Sequence, residues 1–141
     1  MKFDLVDFLS GVFLFKSVDS ESLGKITEEL SPEIKEFSHK ENIYSPNDYE
    51  KKVGFIVSGE CVVEQLKYED KAVPLNVLFP GDSFGIMAVL SDEPEFPTRV
   101  RALKDSRVVF ITREKLLAVL EKSPTVSMNL ICFLTEKITF L

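Results

Sequence analysis

The sequence predicts a mainly β domain with flanking helices, an α+β arrangement, and three observations carry that prediction. From Ile34 to Ile111 apolar residues recur at a period of two, with turn residues every eight to twelve positions. Before Ile34 and after Thr112 the apolar spacing is that of helices. Within the β region, Leu78-Phe-Pro-Gly-Asp-Ser-Phe-Gly-Ile-Met-Ala-Val-Leu90 joins a strand end, a Pro80-Gly81-Asp82 turn and a short apolar helical turn. Short strands punctuated in this way form a sandwich or barrel.

Each element has a local cause. Phe3, Leu5, Val6, Phe8 and Leu9 fall at helical spacing, Gly11 interrupts them, and Phe13-Leu14-Phe15 follows as an apolar plug. Asp19 or Ser20 caps a second helix running to about Glu29, which stops near Ser31-Pro32. Strands are expected near Ile34–His39, Asn42–Tyr44, Val53–Val57, Glu60–Lys67, Pro74–Phe79, Thr98–Leu103 and Arg107–Thr112. Turns fall at Pro46-Asn47-Asp48 and Glu69-Asp70, and Gly59 makes a tight hairpin between Phe55-Ile56-Val57 and Cys61-Val62-Val63. After Thr112, Leu116, Leu117 and Leu120 are expected to face the sheet, and Ser123-Pro124 ends one helix and opens the next. In that last helix Ile131, Leu134, Ile138 and Leu141 stand at steps of three, four and three, a short heptad seam. Val126, Leu130 and Phe133 form a second stripe, so one stripe is expected to pack on the chain's own β-structure while the other meets a partner.

Composition narrows the function. At 141 residues the chain has the length of one ordinary domain. Seventeen basic against 23 acidic residues give a formal charge of −6, which repels a nucleic-acid backbone. Cys61 and Cys132 lie in apolar runs and are expected as core or interface residues. The one histidine, His39, lies between Ser38 and Lys40 and is expected to be exposed rather than a haem ligand, and alone it does not make a cupin-type metal site. Without a nucleophile elbow, a Cys and His pair or a Walker loop, a catalytic centre, a metal and a cofactor are not expected. Asp4 and Asp7 break the N-terminal apolar stretch, which excludes a signal peptide, and no apolar run approaches the ~20 residues of a membrane span. A soluble cytoplasmic protein is expected.

In order and spacing these elements resemble the cyclic-nucleotide-binding superfamily, in particular the sensor domain of Crp/Fnr-type transcription regulators. The residues that carry the resemblance are Gly11-Val-Phe-Leu-Phe-Lys16, Val53-Gly-Phe-Ile-Val-Ser-Gly-Glu-Cys-Val-Val63, Leu78-Phe-Pro-Gly-Asp-Ser-Phe-Gly85, Val100-Arg-Ala-Leu103, Val109-Phe-Ile-Thr-Arg113, Leu116 to Leu120 and Pro124. The resemblance implies a double-stranded β-helix, a jelly-roll-like β-roll, followed by a dimerisation helix. It implies a sensor domain over residues 1–122 and the start of the dimerisation helix at 123–141, with the family's DNA-binding helix-turn-helix domain not in this chain. A homodimer is then expected, with Ile131, Leu134, Ile138 and Leu141 at its interface and DNA contacted only through that other domain.

The cassette departs from the pattern in two places. Nucleotide-binding members of the resembling family read Phe-Gly-Glu at its start, the glutamate taking a ribose hydroxyl, and close it with an arginine for the cyclic phosphate. Here the first place reads Phe84-Gly85-Ile86, and four positions before Val100 the arginine place falls on Phe96, followed by Pro97 and Thr98. A phosphate buried without its guanidinium loses a charge-assisted pair and several kcal/mol, against which helix-end amides offer roughly 0.3 to 2 kcal/mol. Arg99 is close in sequence, yet strand alternation from Val100 turns it to the face opposite Thr98. The expected effector-binding set is Phe84, Gly85, Ile86, Met87, Phe96, Pro97, Thr98 and Arg99, around a pocket that takes an apolar or aromatic-acid effector, or is filled by its own side chains. The alternative is a stand-alone domain of this kind that acts as a protein-interaction module.

Overall fold

A computed structural model describes residues 3–45, 50–67, 71–92 and 98–139, so the expected turns at 46–48 and 69–70 lie outside the described residues. Two compact units emerge, Met1–Ser31 with Glu114–Leu141, and Pro32–Arg113.

The first unit is helical. Asp4 caps α1 (Leu5–Ser10) by accepting the Asp7 N–H at 3.1 Å, and the plug Phe13–Phe15 forms one 3-10 turn in which Leu14 and Phe15 are buried. Asp19 caps α2 (Ser20–Leu30), accepting from the Ser22 N–H at 3.0 Å and the Ser22 hydroxyl at 2.7 Å; these bonds hold its carboxyl below the usual range. Ser31, at φ 42°, ends that helix in the left-handed region. In α4 (Arg113–Lys122) Leu116 and Val119 are buried, whereas Leu117, expected inside, is exposed. A step of three from Leu116 reaches Val119, while Leu117 lies about 100° round the helix. The Ser123 hydroxyl accepts the Val126 N–H at 3.2 Å at the start of α5 (Pro124–Thr139). Helix α5 packs on the plug: the Phe133 ring stacks on Phe13 with centroids 4.0 Å apart. The Asn129 amide donates to the carbonyls of Leu14 at 2.9 Å and Lys16 at 2.8 Å. The stripe expected to rest on β-structure therefore meets the 3-10 turn, because the rings at Phe13 and Phe133 offer each other a flat apolar face.

The second unit is an antiparallel β-roll. Its strands among the described residues are β1 (Glu33–Phe37), β2 (Asn42–Tyr44), β3 (Lys52–Ser58), β4 (Cys61–Leu66), β5 (Ala72–Leu78), β6 (Ser83–Phe84), β7 (Thr98–Ala102) and β8 (Ser106–Thr112). They form two four-stranded sheets, β1-β8-β3-β6 and β2-β7-β4-β5. Inward residues of both sheets make one core, including Ile56, Phe84, Val108 and Phe110 from the first and Cys61, Leu78, Val100 and Ala102 from the second.

Two expectations need correction. Gly59 does not close a hairpin, because β3 pairs with β8 and β6 while β4 pairs with β5 and β7. Its turn, at φ 95°, follows the register shift between Ile56 and Ser58 and carries the chain from one sheet to the other. Strand β6 was not expected, since two residues show no period. No single helix among the described residues is long and apolar enough to cross a membrane; α4 and α5 reach that length only together and are bent by 114° at their junction.

The glycine turns give a paired prediction. A Cβ on Gly59 would sit 2.6 Å from the Asp105 carbonyl oxygen at φ 95°, whereas Gly81, at φ 94°, has nothing within 4 Å. Gly81→Ala is expected to cost about 1–2 kcal/mol from backbone strain alone, and Gly59→Ala at least about 1 kcal/mol more, in urea unfolding. Equal costs would show that the close approach at Gly59 carries no energy.

Candidate effector site

The cassette is hung on β3. After β5 ends at Leu78, the Asp82 carboxylate accepts the Phe79 N–H at 2.9 Å and the Asp82 N–H donates to the Phe79 carbonyl at 2.9 Å, closing the Pro80-Gly81 turn. The turn is tied down by Gly81 N–H to Ile56 O at 2.8 Å and Ile56 N–H to Asp82 O at 2.9 Å. Phe84 then pairs with Gly54, and its ring lies where any Cβ on Gly54 would have to be. Gly85 stands at φ 87°, and a Cβ there would meet the Lys52 carbonyl oxygen at 2.5 Å. Only glycine meets both demands.

Beyond Gly85, α3 (Ile86–Leu90) buries Ile86, Ala88 and Val89 and leaves Met87 at 63% exposure. It has no side-chain cap and no acid in its first turn. Ile86 is 5% exposed. Beneath the cassette, aromatic rings run across the roll: Tyr44 to Phe84 at 6.0 Å, Phe84 to Phe110 at 5.9 Å and Phe110 to Phe37 at 6.2 Å. Each pair is tilted or edge-on, as ring quadrupoles favour. The Lys52 ammonium lies 4.4 Å over the Phe110 ring.

Strand β7 closes the cassette and has two unlike faces. Val100 and Ala102 belong to the core, and half-buried Thr98 shares their face of the strand. Arg99 and Arg101 lie on the other face, where both meet Glu64 of β4. Arg99 Nε and Arg101 Nε each donate to Glu64 Oε1 at 3.1 Å, and Arg101 Nη2 donates to Oε2 at 3.3 Å. The Glu64 side chain is 6% exposed and each arginine 30%. Hydrogen bonds from Arg101 hold the Glu64 carboxyl below its usual range, against burial, which acts to raise it; Arg99 adds to the lowering. The same bonds raise Arg101.

Of the expected effector residues, Phe84, Gly85, Ile86 and Met87 are contiguous at the start of α3, while Phe96 and Pro97 lie outside the described residues. Phe84 belongs to the core cluster, Ile86 is buried, Met87 is exposed, and Arg99 is held by Glu64 on the face away from Thr98. Tyr44, Lys52 and Glu64 were not anticipated. The expected exposed position of His39 agrees with the structure; its backbone N–H donates to Asp105 Oδ1 at 2.9 Å. Cys61 is buried and its thiol pushed up by burial, whereas Cys132 is exposed on α5, which leaves only the interface part of its expectation open.

A sequence profile of the cyclic nucleotide-binding domain matches residues 34–123. The chain belongs to that family. Among solved structures, this cyclic nucleotide-binding domain is similar to the catabolite activator protein of Thermus thermophilus, at 23% identity and a TM-score of 0.77, over 90% of this chain and 58% of that one. It is also similar to the sensor domain of the transcriptional regulator DNR of Pseudomonas aeruginosa, at 15% identity and a TM-score of 0.81, over 94% and 87% of the two chains. A CooA variant from Carboxydothermus hydrogenoformans gives 22% identity and a TM-score of 0.70, over 99% and 84%. These likenesses show the shared β-roll with C-terminal helices, and the chain spans little more than half the length of the Thermus protein. None of the curated protein sequences compared with it matches.

The Glu64 pair gives a pH prediction. Because the carboxyl is lowered on folding, its contribution to stability is complete above the unfolded value, about 4.3, and is lost as pH falls through the folded value. Glu64→Gln is expected to cost about 1–3 kcal/mol at pH 7, reduced from the fully buried case because the arginines are partly hydrated. Urea unfolding between pH 7 and pH 3 checks both parts: the variant should lose less stability below pH 4.3 than the parent, and parallel losses would contradict the pairing.

Proposed function

We propose that this domain is the effector-sensing and dimerising part of a Crp/Fnr-type transcription regulator whose cassette does not take cyclic AMP or cyclic GMP. One observation carries the proposal: both arginines of β7 are bound to a single carboxylate on the outer face, while an isoleucine, Ile86, is buried at the start of the cassette helix. A cyclic phosphate would have to enter an aromatic interior with no guanidinium from that strand to meet it. Prying Arg99 away would leave Glu64 short of a partner at a buried position, which is the costly half of breaking a buried pair.

The effector set of this proposal is Phe84, Gly85, Ile86, Met87, Phe96, Pro97 and Thr98, with Arg99 left out because Glu64 holds it. The ligand class that suits Tyr44, Phe84 and Phe110 is apolar or aromatic, and a pocket filled by those rings is the limiting case. Dimerisation is assigned to the outward side of α5, where Ile131 is 54% and Ile138 68% exposed with Leu134 half-buried between them. Met128, 57% exposed, extends that apolar row by one step of three. Leu141 completes the expected seam and lies outside the described residues. DNA contact falls to another domain, since this one carries a charge of −6.

Calorimetric titration with cyclic AMP and cyclic GMP tests the pocket: no saturable heat is expected, and micromolar affinity for either would overturn the assignment. Light scattering tests the helix. A dimer is expected, with Ile131→Glu together with Ile138→Glu giving a folded monomer, because exposed positions accept a carboxylate and a seam does not. A parent chain that stays monomeric at high concentration would remove the dimer from the proposal.

A further inference from the structure

At one end of the β-roll the ends of β1, β3 and β8 and the turns beside them surround a cavity of about 300 Å³ lined by Glu36, Phe37, Ser38, Ser58, Asp105, Ser106 and Arg107. The cassette uses none of these residues. The turns are the β1–β2 connection, the Gly59 corner and the β7–β8 turn, and hydrogen bonds fasten each to another. His39 N–H reaches Asp105 Oδ1 at 2.9 Å, Leu103 N–H reaches the Glu60 carbonyl at 2.8 Å, and Lys40 N–H reaches the Ala102 carbonyl at 2.8 Å. Lys104 Nζ adds a 3.0 Å bond to the Glu60 carboxylate, and the buried Ser106 hydroxyl donates to the Lys104 carbonyl at 2.8 Å. Gly59 sits so close to Ser106 and Asp105 that no side chain fits there. The wall is thus set before any ligand arrives, which removes much of the ordering cost of binding.

The lining selects the ligand class. Arg107 donates through Nε at 3.2 Å and Nη2 at 2.7 Å to the same Glu36 oxygen, so the guanidinium is neutralised and a free anion gains little. Among the described residues no group of three or more His, Cys, Asp or Glu side chains gathers, which gives a metal ion no ligand set there. Ser38, Ser58 and Asp105 are exposed, and the His39 N–H takes Oδ1 of Asp105, which leaves Oδ2 and the two hydroxyls facing solvent. Acceptors, two-way hydroxyls and one aromatic surface at Phe37 remain. An ammonium would use only the acceptors, whereas a ring of hydroxyls uses acceptors and seryl donors together and lays its C–H face on the phenylalanine.

We propose that this cavity binds a neutral polyol of monosaccharide size, with Asp105, Ser38 and Ser58 as its hydrogen-bonding groups and Phe37 as its apolar wall. The volume stands at the lower end of small-molecule sites, about 300–1,000 Å³, and the cavity is wide open to solvent. Binding there is therefore weak.

The test is an amide ¹H–¹⁵N titration of the full chain with glucose, galactose, ribose and myo-inositol, and separately with methylammonium chloride. At least one polyol is expected to move the amides of Ser38, Ser58, Asp105 and Ser106 saturably, with half-saturation in the range of about 1–50 mM. Ser58→Leu, which fills the cavity, should weaken that response about tenfold or more, and Asp105→Asn, which keeps an oxygen for the His39 N–H, about threefold or more. Silence of these amides with every polyol, shifts unaltered in both variants, or a response to methylammonium alone would each overturn the proposal.

Discussion

The carboxylate of Glu64, shared between Arg99 and Arg101, is the interaction on which the character of this domain depends. In an antiparallel sheet one residue of slip moves every side chain to the other face, so a three-member charge cluster on the outer face of β4 and β7 also sets what the inner face presents. With that register, Val100 and Ala102 enter the core with Thr98 on the same face, while two cations that follow the cassette stay outside. A single buried acid thus governs both the closing strand and the charge of the interior. Its electrostatic role is inseparable from its geometric one, because freeing either arginine leaves Glu64 underpaired at 6% exposure.

The interior follows from what remains. Gly54 has no side chain, the Phe84 ring takes that volume, and Phe110 meets it edge-on. Tyr44 and Phe37 extend the row at either end. Glycine at 54 and 85 and phenylalanine at 84 form one packing solution in which the cassette is pressed onto β3 and its backbone has a single path. The fold of the cyclic nucleotide-binding domain is kept here by these apolar and backbone contacts. Fold and ligand are separate properties of such a domain, and its chemistry has to be sought in its side chains.

Much of the architecture was legible because alternation and turn chemistry are local. The period of two marked seven strands, the Pro80-Gly81-Asp82 turn was visible in the residues, and the outward direction of Arg99 followed from counting back from Val100. Three features escaped for physical reasons. Strand β6 has two residues and therefore no period, and the Gly59 turn has the same local chemistry whether the next strand pairs with the last or leaves for the other sheet. Glu64 reads as a solvent-facing acid until Arg99, 35 positions away, is seen beside it. The polar cavity escaped as well, since its seven residues come from the ends of β1, β3 and β8 with the adjoining Ser38 and Asp105, segments far apart in the sequence.

Arginine side-chain NMR probes the central claim at the atoms involved. If Glu64 holds both guanidinium groups, the Nε–H signals of Arg99 and Arg101 are protected from exchange, vanish or shift in Glu64→Gln, and stay in place when cyclic AMP is added. Movement of the Arg99 signal on adding the nucleotide, with Glu64 intact, would mean that the guanidinium turns to a phosphate, and the cassette would then be a nucleotide site after all.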